Sequence, residues 1–349
     1  MSTLPSSASS SATSTTRRAL LGFGLGGLAL TATGCVQGES SSGSPAPASG
    51  GASGGGDRVR LDYALYNPLS LVVREQKLLE NAGLTVQWEQ SQGSNKANEF
   101  LRNGNLDLAS TAGSAVLQAR TNGSPVQTVE VYSQPEWTAL VVGKDSTVTD
   151  VAGLRGAKIA ATTGTDPYFF LQQALAQAGL SGSDVEILNI QHADGRAALE
   201  RGDVDAWAGL DPNMAATELQ SGSKLLYRNV DFNTYGVLNA REEFVQNSPD
   251  LVQQVVDAYA KARAWALSNP ADLATLYATT AQLSPEVAAR VLERTTLDLD
   301  GVPGDAQRTV LSGIVPLMAA TGDVPSEDAA RKALDTLLVP EFAQKASAA

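Results

Sequence analysis

One cysteine and one histidine occur in 349 residues. A single thiol forms no internal disulfide, so no covalent staple holds this fold. One histidine leaves no Cys/His cluster for zinc, and no acid-rich loop of the EF-hand kind is present. Ser-His-Asp or Cys-His chemistry would have to run through His192 alone, or through a lysine variant. His192 lies in NIQHADGRAALERG, after an expected strand and at the start of an expected helix, and reads as a loop or cap histidine. Basic residues are scarce as well: 25 Lys and Arg stand against 37 Asp and Glu, a formal net charge of -12. A surface this acidic repels nucleic acid and anionic membrane alike. No metal ligand set and no cofactor motif asks for enzyme chemistry.

What is present begins with a short apolar run, Ala19 to Thr33, below the roughly 20 residues a spanning helix needs. Arg17 and Arg18 precede it, which fits a twin-arginine export signal. The run closes in Ala32-Thr33-Gly34-Cys35, which resembles a bacterial lipobox with Ala32 where leucine is usual. Cys35 is then the lipidated residue and new N-terminus. Residues 36 to 56 (VQGESSSGSPAPASGGASGGG) have the Gly/Ser composition of a flexible tether. The expected order is a signal peptide at 1–34, a lipidated cysteine and tether at 35–56, and a body from Asp57 onward. Such a body is exported and held at a membrane surface through its lipid alone.

The body exceeds the roughly 250 residues at which one hydrophobic core usually divides, so two lobes are expected. Strand and helix patterns alternate from Arg58 to Ser133 and again from Thr138 to Glu242. LVVREQKLLENAG reads as a helix that runs to Gly83. Alternation of this kind predicts parallel or mixed α/β sheets flanked by helices. From Ser248 the text is mainly helical, with Val252, Val255, Val256 and Tyr259 on one face. In VDAWAGLDPN, Val204, Ala206 and Ala208 alternate with Asp205, Trp207 and Gly209. Trp207 therefore packs between sheet and helix, and Asp211 leaves the strand before Pro212. Four strand exits meet helix starts, at Tyr66-Asn67-Pro68, Thr111–Ser114, Gly164–Pro167 and Leu210–Asn213. In open α/β sheets ligands bind at such carboxyl ends, where helix N–H groups stand unpaired.

Three segments carry a family resemblance: NGNLDLASTAGSAVLQA (103–119), VTDVAGLRGAKIAATTGTDPYFFLQQALAQAGL (148–180) and ADGRAALERGDVDAWAGLDPNMAA (193–216). The body resembles the substrate-binding lipoproteins of ABC importers, in the branch of aliphatic sulfonate, taurine and nitrate binders. The resemblance implies a two-lobed periplasmic-binding-protein-like (type II) fold with a helical C-terminal tail. Lobe 1 would comprise 57–136 and 240–349 and lobe 2 would comprise 137–239, with crossings near Gln134–Ala139 and Asn233–Asn239. It also implies a monomer that closes on a small solute by a hinge and hands it to a membrane permease and its ATPase. No bond is made or broken and no cofactor is needed.

Carried over residue by residue, the resemblance places Asn67, Thr111, Ser114, Thr165, Asp166, Asp211 and Asn213 at the four exits, with Glu136 and Trp137 at the first crossing. Ordinary N-capping explains Ser114, Thr165 and Asp166 equally well. The corners hold Glu136, Asp166 and Asp211 but no Arg or Lys, and a carboxylate beside a sulfonate is repelled. Either these acids point away as caps, or the solute bears a positive group, as taurine does. Nitrate or a thiamine-precursor pyrimidine are the alternative solutes, and an enzyme on the same fold is the rival class.

Overall fold

The computed structural model describes residues 56–347. The expected signal segment, Cys35 and the tether up to Gly55 lie outside the described residues. The chain first lays down β1 (Arg58–Tyr63), α1 (Pro68–Glu75), β2 (Thr85–Gln90), α2 (Ser94–Arg102), β3 (Leu108–Ala112), α3 (Gly113–Thr121) and β4 (Val126–Pro135). It then crosses to β5 (Thr138–Val142), β6 (Lys158–Ala161), α4 (Asp166–Gln177), β7 (Glu186–Asn189), α5 (His192–Arg201), β8 (Ala206–Leu210), α6 (Asn213–Ala216) and β9 (Lys224–Tyr227). It returns through β10 (Gly236–Arg241), which begins inside the expected second crossing.

The first sheet has the order β11-β4-β10-β3-β1-β2, β11 being the short strand Thr295–Thr296, and the second has the order β7-β6-β8-β5-β9. Strands β1, β2 and β3 run parallel, as do β6, β7 and β8. The strands at the crossings, β4, β5, β9 and β10, pair antiparallel. The chain thus forms two mixed sheets, one per lobe.

Both sheets are covered on both faces, and the sequence alternation decides which residue goes where. In β10, Val237 joins one core and Leu238 the other. In the second sheet Leu140, Val142, Ile159 and Ala206 face one core, while Ala139, Val141, Ala160 and Trp207 face its opposite. Strands buried on two faces need apolar residues at nearly every position, which is why these segments read as continuous runs. Trp207 is fully buried beside Ala198 and Leu199 of α5. A Cβ on Gly195 would lie 2.8 Å from its indole nitrogen, so only glycine lets α5 approach this closely.

The helix expected to reach Gly83 ends at Glu75 instead. Lys77 takes a left-handed φ of 53°, and the following turns bury Leu79 and Leu84 in the first core. Burying those leucines outweighs continuing a helix whose next residues are polar. The C-terminal segment supplies α7 (Glu242–Asn247), α8 (Pro249–Ser268), α9 (Pro270–Ala281), α10 (Pro285–Glu293) and α11 (Asp305–Ala320). Helix α8 packs against α1 and β4, so this segment belongs to the first lobe. The lobes meet along a seam: Phe169 of α4 enters the core around Leu311 and Ile314, and Ala215 and Ala216 pack on Leu71, Tyr277 and Val287. Among the described residues no helix is long and apolar enough to cross a membrane.

Candidate functional site

A cavity of about 340 Å³ lies between the lobes. The first lobe walls it with Tyr66, after β1, and with Gln90, Ser91 and Gln92 at the exit of β2. The second lobe contributes Gln191, His192 and Asp194 at the exit of β7, and Asp211, Pro212 and Asn213 at the exit of β8. Among the described residues none lining it is Arg or Lys. Neutral amides and the N-terminal N–H groups of α5, whose first residues His192, Ala193 and Asp194 line the cavity, are the donors on offer, and helix starts leave such groups unpaired.

Two of the four expected corners open on this cavity, and Asp211 and Asn213 stand in its wall. Tyr66 gives the β1 corner its surface, with its hydroxyl donating to the Ser110 carbonyl at 2.9 Å. Asn67 sits behind it, fully buried. Its Oδ1 accepts from the Ser70 N–H at 3.2 Å, and its amide donates to Ser110 Oγ at 2.8 Å. It is the N-cap of α1, a contribution of about 1 kcal/mol. Trp137 also backs this wall, edge-on to Tyr66 with ring centroids 5.8 Å apart.

The other two corners are pinned against each other. The Asp166 carboxylate is 1% exposed and accepts four hydrogen bonds. Ser114 Oγ donates to Oδ1 at 2.6 Å and Thr234 Oγ1 donates to the same oxygen at 2.5 Å. Trp137 Nε1 donates to Oδ2 at 2.9 Å, and the Thr234 N–H at 3.0 Å. Burial raises the Asp166 pKa, and these four donors pull against that rise. The group joins α3 of the first lobe, α4 of the second and residues of both crossings. Its lone pairs are all spoken for by the protein.

Thr111 accepts from the Asn239 amide at 2.8 Å inside the first sheet. Thr165 donates to the Thr162 carbonyl at 2.6 Å, closing its own turn. Glu136 accepts two bonds from Arg228, at 2.8 and 2.6 Å, on the outside of the crossing. The structure therefore does not bring Thr111, Ser114, Glu136, Thr165 or Asp166 to the cavity wall.

Asp211 is the one acid of the three with a free oxygen. Its Oδ1 accepts from the Ala215 N–H at 2.8 Å and lies 3.6 Å from Arg294 Nη1, while the buried Oδ2 has no partner. Burial pushes its carboxyl up to about 7, against the pull of the Arg294 guanidinium. Arg294 itself pairs with Glu218, which also accepts from Arg290 at 2.8 Å. His192, read from sequence as a plain cap, is 3% exposed and its Nε2 is unpartnered. Burial holds its pKa down at about 4. The corners after β2 and β7 escaped sequence reading because EQSQGSN and NIQHADG lack the Gly-Ser or Asp-Pro steps that marked the others. Their signal was the glutamine cluster at two strand ends.

Comparison with known proteins follows this geometry. Residues 71–273 match the family model described as NMT1/THI5 like. A provisionally named aliphatic sulfonates-binding protein of Bacillus subtilis (strain 168) is 30% identical over 245 residues, covering 68% of this chain and 73% of that one. A protein of the same provisional name from Escherichia coli (strain K12) is 29% identical over 241 residues, covering 68% and 76%. The solved alkanesulfonate-binding protein of Xanthomonas axonopodis pv. citri, bound to MOPS, superposes with a TM-score of 0.72 at 25% identity, covering 80% of this chain and 98% of that one.

Proposed function

Because this chain belongs to the NMT1/THI5-like family, we propose that it is the extracytoplasmic solute-binding component of an ABC importer, taking an aliphatic sulfonate or a taurine-like molecule. The observation that carries this reading is the cavity of about 340 Å³ between strand exits of two lobes. That volume is at the lower end for small-molecule sites, which run from about 300 to 1,000 Å³. A solute touching both walls favours the closed arrangement over an open one, and only such differential contact can drive closure. The donors for an anionic head are the helix N-termini and the side chains of Gln90, Gln92, Gln191 and Asn213. Asn67, Thr111, Ser114, Thr165 and Asp166 act one step removed, by holding corners and crossings in place.

In the same reading the chain is exported as a monomer, processed at Cys35, lipidated there and tethered, and it delivers its solute to a permease and ATPase. It catalyses no reaction. Calorimetric titration of the full-length protein with taurine, alkanesulfonates, nitrate and a hydroxymethylpyrimidine tests the proposal. Saturable binding of a sulfonate is the expected result. Binding of nitrate or the pyrimidine alone would move the solute class, and turnover of any of them would replace the binding reading with an enzymatic one.

A further inference from the structure

The cleft holds buried acceptors that a sulfonate cannot satisfy: His192 Nε2, Asp211 Oδ2 and the side-chain oxygen of Gln191 all lack a partner. Thr162 Oγ1 donates its single proton to the Ile190 carbonyl at 2.7 Å. Its 3.3 Å contact with His192 Nδ1 therefore requires the hydrogen to sit on Nδ1. That fixes the tautomer and leaves Nε2 a bare lone pair, buried and without a partner. Asp211 Oδ2 also has no partner, and once the carboxyl, raised to about 7, is ionised it is a second bare acceptor in the wall of the same cavity.

The imidazole points across the seam, because an ideal Cβ on Gly93 of the first lobe would lie 3.0 Å from Nε2. Gly93 has an extended φ of 162°, open to any residue, so what glycine provides there is room for the Asn95 amide, 2.8 Å from that Cβ, and for the ring. An unpaired buried acceptor is a free-energy cost until something donates to it. A sulfonate has three acceptor oxygens and no donor, and it would meet repulsion from Asp211. The helix start at α5 and the glutamine amides offer N–H groups to such a head on the same wall. The cavity is therefore split into a donating part and an accepting part.

We infer that His192 Nε2 and Asp211 Oδ2 form an acceptor pair that reads an N–H donor on the solute, so that the cleft selects a zwitterionic aminosulfonate over a plain alkanesulfonate. This rests on the sulfonate-binder reading and names the ligand within it.

The test uses three probes on one two-carbon skeleton: taurine, with an ammonium; isethionate, with a hydroxyl; and ethanesulfonate, with neither. Affinities are measured by calorimetry at about pH 8, where the Asp211 carboxyl is ionised, on the full-length protein and on His192→Phe and Asp211→Asn. Wild type should bind taurine at least about tenfold more tightly than ethanesulfonate, with isethionate between, since a site built around hydrogen bonds rejects the analogue lacking them. Each variant should cut the taurine-to-ethanesulfonate ratio by about tenfold, whatever it does to overall affinity. A merely structural role would weaken both probes together and leave the ratio standing, which would overturn the assignment. Where His192→Phe fails to fold, Asp211→Asn decides by the same ratio. A wild-type ratio near one also overturns it while leaving a sulfonate binder in place. Binding of no sulfonate at all removes the functional reading itself.

Discussion

Asp166 offers a sharp test of whether the acids of the cleft serve ligand or architecture. Its two oxygens have different clients: Oδ2 faces the fixed N–H groups of Trp137 and Thr234, and Oδ1 faces the hydroxyls of Ser114 and Thr234. Asparagine can match this division. Its carbonyl would take the two N–H donors, and its NH2 would donate to the two hydroxyls, which can turn to accept. The exchange gives up charge-assisted bonds and turns two hydroxyl protons away from their acceptor, Thr234 Oγ1 still accepting from the Ser114 N–H at 2.8 Å, but it relieves a buried charge, so Asp166→Asn should unfold within about 2 kcal/mol of wild type.

Alanine can do neither. It strands the Trp137 and Thr234 N–H groups in a site where Asp166 is 1% exposed, at about 1–3 kcal/mol for each orphan. Asp166→Ala should therefore lose about 2–6 kcal/mol in urea unfolding analysed by linear extrapolation. It should also weaken solute binding, because the stranded groups belong to both crossings and the closed arrangement depends on them. An alanine variant within 1 kcal/mol of wild type, or an asparagine variant as damaged as alanine, would refute the clamp. A taurine affinity lost in Asp166→Asn with stability intact would instead make Asp166 a ligand contact.

Two further perturbations check the neighbouring groups. Asp211 has its folded carboxyl raised to about 7, above the ordinary 3.8, so the folded state holds a proton that the unfolded chain releases across this window. Its contribution falls as pH rises from about 4 to 7, by up to about 1.4 kcal/mol per unit. Asp62 and Glu130, also raised to about 7, slope the same way, and His192, lowered to about 4, slopes the opposite way. The difference in unfolding free energy between wild type and Asp211→Asn, measured from pH 4.5 to 6.5, isolates the Asp211 slope; a flat difference would contradict its burial as a titrating group. Gly93→Ala should weaken taurine several-fold while leaving the melting temperature of the ligand-free protein within about 2 °C, because the Asn95 side chain in the same lobe, 2.8 Å from the new methyl, can turn aside whereas the buried His192 ring across the seam cannot. Equal affinities would show that the lobes do not approach this closely around the solute.

The architecture was legible because strands buried on both faces leave near-continuous apolar text, as TALVV and AWAGL do. Helix starts were marked by proline at Pro68, Pro167, Pro249 and Pro285. The premature end of α1 was not legible, since it depends on which leucines the finished core can take. At the site, sequence reading found the exits of β1 and β8 that open on the cavity but missed those of β2 and β7. Ser114 and Asp166 were expected at strand exits as caps or solute contacts and Trp137 at the first crossing, and in the fold Ser114, Trp137 and Thr234 together satisfy Asp166. Three residues distant in sequence can saturate a carboxylate only once the fold has brought them together. His192 was set aside because a lone histidine carries no pattern, and its free nitrogen is visible only when Thr162 is seen spending its proton elsewhere.

The absence of a cationic residue from the cavity wall follows from how closure must work. A lysine or arginine there would hold a sulfonate strongly from one lobe, open or closed, and a ligand bound equally in both states shifts nothing. Neutral amides and helix N–H groups hold it weakly until the walls come together and water is excluded, which concentrates the binding free energy in the closed state. The unpaired acceptors work in the same direction. While the lobes are apart, water can satisfy His192 Nε2 and Asp211 Oδ2; once the lobes close, only a donor on the solute can do so. A solute without that donor leaves the closed state carrying orphaned acceptors, so discrimination arises at closure and not at first encounter.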